Sequence, residues 1–551
     1  MNLKKILCTA ALLCAGVPLA CVSQSSVRAG TILKSGDRVV FYGDSITEQR
    51  LYTRYIQQYI DCRYPDLKIH FYNAGWSGDT AGGALNRLDR DVLILKPTVV
   101  TLFFGMNDGG YQAVNPDLTA AYTKNMEGII TALQAKNVRV IVFTPGSVDP
   151  EKQQARLGDT HYNDTLAGLA QVAIALAKKH NCTYVDVHDP MLAYRTAERV
   201  KDPNFSLTPD GIHPFPYGHM LMTSLMLAGF NVDPLPPLGS VDVAKGSGSG
   251  LTVTSNQNGS VTLTETKPSV APFWFEPSVA ATMKDSGFDK FTEQQLVVKG
   301  LSKGTYDVTI DGQDAGEYSN TDLAAGVRIP GTYSATGQKI YDMINAKENL
   351  YYMNWRNIRL PLDGDANLPA VTSALMDADD QFTNGIYSLA SAAPKSVIAL
   401  NLMPGGPNLA LNKPYTVSDP NGYNWGIGGL TDGSWEASAQ HCFASGDKDS
   451  FPKTATIDLG STQKVSQVLL GVPAFGATKT VSVSISTDGT NFTDVGSHTF
   501  VQKQELRYTY SFPVADARYV RLNYPDHYDD GNGYTNTFVF TTECEVFGGG
   551  G

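Results

Sequence analysis

Strand and helix signals alternate along the first part of this chain, and this alternation limits the possible fold more than any other feature. Five short runs rich in β-branched and aromatic residues have the length of buried strands; they cover residues 38–42, 68–72, 99–104, 138–143 and 183–187. Helical spacing fills the stretches between them, at residues 51–62, 92–95, 120–136 and 165–180. Strands that alternate with helices form a parallel sheet covered on both faces. Residues 30–234 are therefore predicted to be one domain of the α/β class.

Four polar motifs occur in order along this predicted domain. They are Gly43-Asp44-Ser45-Ile46, Asn73-Ala74-Gly75-Trp76-Ser77-Gly78-Asp79, Gly105-Met106-Asn107-Asp108 and Asp210-Gly211-Ile212-His213-Pro214. The first three follow predicted strands, and sites in parallel sheets lie beyond the carboxyl ends of the strands. We therefore expect the motifs to meet at one rim of the sheet.

Ser45, His213 and Asp210 have the residue types of a serine-hydrolase catalytic triad. Ser45 lies on a predicted strand-to-helix turn that exposes its hydroxyl, which needs a base to become a nucleophile. His213 is the candidate base, and Asp210 is near enough in sequence to orient the imidazole within a turn. Each feature alone has a simpler explanation: Asp44-Ser45 as a helix cap, Asp210-Gly211 as a turn, and His213 as a surface residue. The motifs favour catalysis because they occur together.

Three N–H groups are candidates for stabilising the oxyanion of an attacked ester: the backbone N–H groups of Ser45 and Gly78, and the side-chain N–H of Asn107. One preorganised donor of this kind lowers a barrier by about 3–4 kcal/mol. The alternative is that Gly78 is an ordinary turn glycine and Asn107 a loop residue after a strand.

These four motifs resemble the sequence blocks of the SGNH hydrolases, also called GDSL-type esterases, over residues 36–230. The resemblance implies a flavodoxin-like α/β/α sandwich and catalysis without a metal cofactor. Carried over by position, the roles of the family fall on Ser45 as nucleophile, Ser45, Gly78 and Asn107 as oxyanion donors, His213 as base and Asp210 as its orienting acid. The Gly-x-Ser-x-Gly motif of the α/β-hydrolases is absent around Ser45, which disfavours that other esterase fold.

The composition becomes rich in strand formers after the first domain. Residues 233–250, with Pro234-Leu235-Pro236-Pro237 and a later Gly-Ser run, are predicted to be a linker. Residues 239–405 are predicted to be an α+β accessory region, to which we assign no chemistry. Two helices are expected within it and are expected to pack on the catalytic domain; they cover residues 339–347 and 370–388.

Residues 408–548 carry many short strand signals separated by turns, as is typical of a β-sandwich. The region resembles discoidin-like domains, including family-32 carbohydrate-binding modules. The segments that carry the resemblance are Asn408-Leu409-Ala410, Leu430-Thr431-Asp432-Gly433, Thr456-Ile457-Asp458-Leu459-Gly460, Ala517-Arg518-Tyr519-Val520-Arg521 and Glu543-Cys544-Glu545-Val546-Phe547-Gly548.

That second resemblance implies a structural Ca²⁺ held by Asp432 and Glu543, whose oxygens suit the ion. The alternative is an ordinary loop aspartate and an ordinary strand-end glutamate. Sugar binding would use an aromatic platform, for which Trp425, Trp435 and Tyr423 are the candidates. Either tryptophan is equally compatible with a packing role.

Residues 1–29 have the features of an export signal, because Lys4 and Lys5 precede an apolar run at residues 6–20 that is too short to span a bilayer. A secreted or periplasmic protein is expected. The end of that run, Leu19-Ala20-Cys21, resembles a bacterial lipobox, so a lipid anchor on Cys21 is the alternative. No later apolar run reaches the ~20 residues of a transmembrane helix.

An export route also permits disulfides. Cys442 and Cys544 fall in one predicted domain, where pairing is one possibility, whereas Cys62 and Cys182 are expected to be free. The net charge of −11 argues against a nucleic-acid partner, because phosphate binding requires a basic surface.

Together these features predict an exported serine esterase that removes acyl groups, and O-acetyl groups in particular, from a polysaccharide. The alternative within enzymes is a lipase, arylesterase or thioesterase of the same fold. The alternative from another class is a non-catalytic glycan-binding surface protein.

Overall fold

A computed structural model describes residues 31–548 apart from 258–259, 274–288, 404–406, 424, 427, 505, 530 and 532–533. The predicted export signal and Cys21 lie outside the described residues. The chain divides into two compact units. The first contains the chain up to Gln57, Leu67–Asp233 and Tyr351–Leu368, and the second contains Gln58–Asp66, Pro234–Leu350 and the chain from Pro369 onward. No helix within the described ranges is long and apolar enough to cross a membrane.

A five-stranded parallel sheet forms the centre of the first unit. Its strands are β1 (Arg38–Gly43), β2 (His70–Gly75), β3 (Val99–Phe103), β4 (Arg139–Phe143) and β5 (Thr183–Val185). The strand order is β2-β1-β3-β4-β5, and every neighbouring pair is parallel. This is the flavodoxin-like order. The α/β class and the α/β/α architecture are therefore confirmed.

Eight α-helices of the first domain follow or flank these strands. They are α1 (Ser45–Glu48), α2 (Leu51–Arg63), α3 (Ala81–Asp91), α4 (Pro116–Gln134), α5 (Gln154–Leu157), α6 (Tyr162–Lys179), α7 (His188–Lys201) and α8 (Pro216–Gly229). The sequence patterns did not predict α3 or α8. Two glycines near the start of α3 lower its helix propensity, and α8 is buried on most sides, so it lacks an amphipathic stripe.

Two sheets form the accessory region. Their strands are β6 (Gly239–Asp242), β7 (Ser247–Ser249), β8 (Leu251–Gln257), β9 (Ser260–Glu265), β10 (Glu293–Lys299), β11 (Thr305–Ile310), β12 (Gln313–Ser319), β13 (Val327–Pro330) and β14 (Val397–Leu402). The sheet orders are β13-β10-β6-β7 and β12-β11-β14-β9-β8. The predicted linker at 233–250 is wrong over its second half, because β6 and β7 pair there as a hairpin.

Three α-helices and one π-helix lie in the described part of the accessory region. They are α9 (Asn320–Ala325), α10 (Ala335–Tyr352), the π-helix Met353–Arg359 and α11 (Leu368–Ser391). The helices predicted at 339–347 and 370–388 lie within α10 and α11. Within the second unit, Ile344 of α10 and Ile386 of α11 share an apolar cluster with Val270. The segment between these helices, Tyr351–Leu368, groups with the first unit.

The C-terminal region is a β-sandwich, as predicted. Its strands are β15 (Tyr415–Val417), β16 (Phe443–Ala444), β17 (Lys453–Val472), β18 (Thr480–Ser486), β19 (Thr493–Thr499), β20 (Leu506–Tyr524), β21 (Phe540–Thr541) and β22 (Glu543–Phe547). The main sheet has the order β15-β17-β20-β18-β19, with β22 paired to β17. Runs that the sequence predicts as separate strands at 454–458 and 465–470 join in β17 across two register shifts.

All four described cysteines are thiols in the structure. Cys544 lies in the main apolar core of the sandwich, whereas Cys442 lies in a smaller cluster with Ala444 and Phe540. The expectation for Cys62 and Cys182 is confirmed, and Cys442 is not bonded to Cys544 in the described structure.

Candidate active site

The turn between β1 and α1 places Ser45 at the first position of a helix. Asp44 caps this helix: its Oδ1 accepts a hydrogen bond from the Ile46 N–H at 3.0 Å. Its carbonyl accepts the Glu48 N–H at 2.9 Å. A helix cap at Asp44 is therefore compatible with a nucleophile at Ser45, because Asp44 stabilises the turn that exposes the Ser45 hydroxyl.

His213 lies between Ser45 and Asp210. Its Nε2 is 2.8 Å from Ser45 Oγ, and its Nδ1 is 2.6 Å from Asp210 Oδ2. The other oxygen of Asp210 accepts the backbone N–H groups of Ile212 and His213, at 2.9 and 2.6 Å. Burial acts to raise the pKa of Asp210, but these hydrogen bonds outweigh it and lower the pKa below its usual value. The charged form of Asp210 favours the tautomer in which Nδ1 carries the proton and Nε2 accepts one.

The loop that carries Asp210 and His213 depends on a glycine between them. Gly211 has a φ of +89°, and a Cβ there would lie 2.6 Å from the Cβ of Gln153. Gln153 Nε2 in turn donates to the Asp210 carbonyl at 3.0 Å, and the Asp149 N–H donates to the Gly211 carbonyl at 2.8 Å. The segment before α5 therefore braces the turn, and a side chain at 211 would disrupt this bracing.

Gly78 and Asn107 lie in the loops that follow β2 and β3. Gly78 has a φ of +76°, which favours glycine, with open space where a Cβ would point. Asn107 Nδ2 donates to the Asp79 carbonyl at 2.8 Å, so the loops that carry the two candidate oxyanion donors are joined directly. Tyr111 donates its hydroxyl to Asn107 Oδ1 at 2.7 Å. This bond fixes which end of the amide carries the N–H groups and leaves one N–H available for an oxyanion.

Asp108 also links the loops that follow β2 and β3. Its position in the third motif did not predict this role. Its carboxylate accepts the Ala81 N–H at 2.8 Å and the Gly105 N–H at 3.0 Å. Burial raises the pKa of Asp108 to about 6 and that of Asp44 to about 7, and the negative charge of Asp79 acts in the same direction on both. These carboxylates serve as hydrogen-bond acceptors that hold loops, because neither is exposed to a substrate.

A buried arginine also supports the site, and no motif pointed to it. Arg87 of α3 donates to Asp79 Oδ2 at 2.8 Å, to the Ala74 carbonyl at 2.9 Å and to the Gly43 carbonyl at 3.2 Å. It thereby ties the ends of β1 and β2 together. A single arginine within a helix gives no sequence signal for such a role, since its partners are distant along the chain.

The predicted calcium ligands of the C-terminal region lie near each other. Glu543 is fully buried, and its Oε2 accepts the Gly433 N–H at 3.1 Å. Its Oε1 accepts no hydrogen bond from an amide or hydroxyl within the described structure, and the carboxyl group lies within hydrogen-bond reach of Asp432. Burial raises the pKa of Glu543 to about 9, and the charges of Asp432 and Glu545 add to this effect. His441 Nδ1 lies 2.7 Å from Asp432 Oδ2. A buried carboxylate oxygen without a partner, beside a second carboxylate, fits the oxygen donors that Ca²⁺ takes.

The three aromatic candidates for sugar binding have different surroundings. Trp425 lines a groove of about 600 Å³, and its ring also packs against Phe540 at 5.6 Å. Tyr423 is 66 % exposed and donates to Asp447 at 2.8 Å. The guanidinium carbon of Arg507 lies 4.2 Å from the centroid of the Trp435 ring. Trp425 thus combines ring packing with an open groove, Tyr423 is exposed, and Trp435 has the contacts of a packing residue.

Two separate parts of the chain match known families. Residues 41–221 match the model of the GDSL-like Lipase/Acylhydrolase family. Residues 429–522 match the model of the NedA-like, galactose-binding domain. A curated relative, the acetylxylan esterase of Geobacillus stearothermophilus, is 24 % identical over an alignment of 214 residues, and the match covers 35 % of this chain and 93 % of the relative.

Among solved structures, a gut microbial diltiazem-metabolizing enzyme is 23 % identical, with a TM-score of 0.55. The match covers 68 % of this chain and 100 % of that chain. An acetylxylan esterase of Geobacillus stearothermophilus is also 23 % identical, covering 36 % of this chain and 97 % of that one, with a TM-score of 0.31. The first of these similarities supports the fold.

Proposed function

We propose that this chain is an exported serine esterase that removes O-acetyl groups from a polysaccharide, and the match of residues 41–221 to the model of the GDSL-like Lipase/Acylhydrolase family supports an ester hydrolase activity. One observation carries the proposal: Ser45, His213 and Asp210 align through contacts of 2.8 and 2.6 Å although 168 positions separate the first two. Such an alignment has the geometry that activates a serine hydroxyl.

In the proposed reaction, Ser45 Oγ attacks the ester carbonyl carbon while His213 Nε2 takes the hydroxyl proton. Asp210 stabilises the imidazolium, because its carboxylate stays charged and accepts from Nδ1–H. The negative charge that develops on the carbonyl oxygen is stabilised by the N–H groups of Ser45, Gly78 and Asn107. The imidazolium then protonates the departing sugar oxygen, which leaves an acetyl group on Ser45.

Water completes the cycle. His213 removes a proton from a water molecule, whose oxygen attacks the acetyl-serine carbonyl. A second tetrahedral intermediate collapses, the proton returns from His213 to Ser45 Oγ, and acetate leaves. Each proton taken by His213 is returned within the same half-reaction, so no cofactor enters the chemistry.

A carbohydrate substrate is supported by two independent features. The curated relative is named as an acetylxylan esterase, and the galactose-binding domain is of a kind that recognises sugars. A tethered binding module raises the effective concentration of a polymer near the active site. The groove beside Trp425 is the surface on which we place this binding.

A structural Ca²⁺ belongs to the same proposal. Asp432 and Glu543 would hold it in the C-terminal domain, where the unpartnered Oε1 of Glu543 is a preformed ligand. The ion would stabilise the loop at Gly433 and take no part in the esterase reaction.

The test is acetate release from acetylated xylan, pectin, mannan and peptidoglycan, with p-nitrophenyl acetate as a small reference substrate. Wild type should release acetate from at least one polymer, and Ser45→Ala should reduce turnover to background. Turnover of long-chain or thioester substrates alone would favour the lipase, arylesterase or thioesterase alternative. A folded wild type without turnover that still binds glycan would favour the non-catalytic alternative.

A further inference from the structure

The segment Tyr351–Leu368 reaches the catalytic unit from a point about 300 residues away in sequence. It includes the π-helix Met353–Arg359, in which the Leu360 N–H donates to the Trp355 carbonyl at 3.2 Å. Trp355 is 1 % exposed, and its Nε1 donates to the buried carboxylate of Asp91 at 3.1 Å. The segment is therefore anchored in the first unit by the largest of its fully buried side chains. π-Helical turns occur often at functional sites.

The anchored segment directs one cation toward the oxyanion loop. The guanidinium of Arg356 lies 3.7 Å from the centroid of the Trp76 ring. Its Nη1 lies 3.1 Å from Oε1 of Glu48 in an ion pair that lacks hydrogen-bond alignment, and the Tyr352 hydroxyl donates to that same oxygen at 3.2 Å. Two residues of this segment therefore converge on a single carboxylate oxygen.

Glu48 connects these groups to the catalytic machinery. It is the last residue of α1, the helix that begins with Ser45. Its second oxygen, Oε2, accepts the Ser77 N–H at 2.6 Å. Ser77 immediately precedes Gly78, whose N–H is a proposed oxyanion donor. One side chain thus spans the nucleophile helix and the oxyanion loop.

We propose that Arg356 is a positioning residue for the oxyanion loop, acting through Glu48. This inference rests on the proposed esterase function. The charge of the Arg356 guanidinium holds the Glu48 carboxylate where it accepts the Ser77 N–H. The same guanidinium packs on the face of the Trp76 ring. The loop at residues 76–78 is therefore held at both Trp76 and Ser77. Residues 351–368 thereby become part of the esterase rather than a spacer before the binding module.

Charge gives Arg356 a second effect on the same step. The Glu48 carboxylate lies close to the loop that carries the Gly78 N–H donor, and an uncompensated negative charge there opposes the formation of an oxyanion on the substrate. The Arg356 guanidinium neutralises that charge in place. Loss of the arginine should therefore weaken transition-state stabilisation more than substrate binding.

The experiment is a double-mutant cycle of Arg356→Ala and Glu48→Gln, with kcat and KM measured on p-nitrophenyl acetate. Arg356→Ala should lower kcat about 10- to 100-fold, the range for a small misplacement of catalytic groups, with little change in KM. Glu48→Gln keeps an oxygen acceptor for the Ser77 N–H but removes the charge. In that background, Arg356→Ala should cost at most about threefold, because coupled residues are not additive.

Arg359→Ala is the matched control, since Arg359 lies in the same π-helix and its carboxylate neighbour is Asp91 at 3.9 Å rather than Glu48. It should lower Tm to a similar extent as Arg356→Ala and leave kcat within twofold of wild type. Arg356→Lys keeps the positive charge, so its kcat should lie between those of Arg356→Ala and wild type. It replaces Arg356→Ala in the cycle if that variant does not fold.

The inference is overturned if Arg356→Ala retains wild-type kcat, or if its loss is the same with Glu48 and with Gln at position 48. It is also overturned if only KM rises, because that result would place Arg356 in substrate binding. Wild-type turnover that Ser45→Ala abolishes establishes the esterase separately, so failure of the Arg356 role leaves that function standing.

Discussion

Replacing Asp210 with asparagine removes one charge from the site and changes its shape little. The carboxylate now accepts three hydrogen bonds, from His213 Nδ1 at 2.6 Å and from the N–H groups of His213 and Ile212 at 2.6 and 2.9 Å. Asparagine Oδ1 can keep the two backbone bonds. Its NH₂ group then faces Nδ1, and because that group donates, it favours the tautomer with the proton on Nε2.

That tautomer is the wrong one for catalysis, since Nε2 must accept the Ser45 proton. Loss of the tautomer and of the charge that stabilises the imidazolium should lower kcat about 10³- to 10⁴-fold, which corresponds to about 4–5.5 kcal/mol of barrier. The Asp210 side chain is 54 % exposed, so water offsets part of the loss. We therefore expect the lower end of the range.

The assay is turnover of p-nitrophenyl acetate by wild type, Asp210→Asn and Ser45→Ala, with circular dichroism as the test of folding. Asp210→Asn should lose about 10³-fold in kcat, remain measurably more active than Ser45→Ala and retain a wild-type spectrum. A folded Asp210→Asn that keeps more than a tenth of wild-type kcat would refute the assigned role of Asp210.

Further outcomes follow from other parts of the structure. Asn107→Ala should lower kcat about 100- to 1000-fold with little effect on Tm, because one oxyanion donor is lost. Trp355→Ala should destabilise the first unit by about 3–5 kcal/mol in urea unfolding, since a fully buried ring leaves a cavity; an unchanged midpoint would contradict its anchoring role. The pKa of Glu543 is raised to about 9 in the folded protein, so at neutral pH its carboxyl group is protonated when folded and ionised when unfolded. The contribution of Glu543 to the free energy of unfolding is therefore complete below the pKa that this group has in the unfolded chain, and it is lost as pH rises toward 9. Wild-type Tm should fall between pH 5 and pH 8 more than that of Glu543→Gln, and Ca²⁺ should raise Tm more at pH 8. Trp425→Ala should weaken retention on acetylated polymer and leave p-nitrophenyl acetate turnover unchanged.

Local patterns were sufficient to predict the parallel sheet. A strand buried on both faces is a continuous apolar run, as in Val99–Phe103, and such a run can be recognised without knowledge of its neighbours. The helix α8 shows the opposite case. It is buried on most sides, so its sequence has no polar face to mark it as a helix.

The candidate triad could be recognised because its residues lie in short motifs with characteristic neighbours, such as Gly211 between Asp210 and His213. The groups that support the triad and the oxyanion donors could not be recognised from the sequence. Arg87 lies within an ordinary helix, and Tyr111 lies in a loop, and neither has a local pattern that relates it to the site. Their roles follow from hydrogen bonds to groups that only folding brings near.

The sequence by itself determined the fold class, the order of the four motifs and the identity of the groups proposed to carry out the chemistry. Tertiary structure alone decided how those groups are held, and it placed Arg356 beside Glu48 across more than 300 positions. The physical reason is that backbone propensity and apolar periodicity act over a few residues, whereas charge and hydrogen bonding act through space between whichever groups the folded chain brings together.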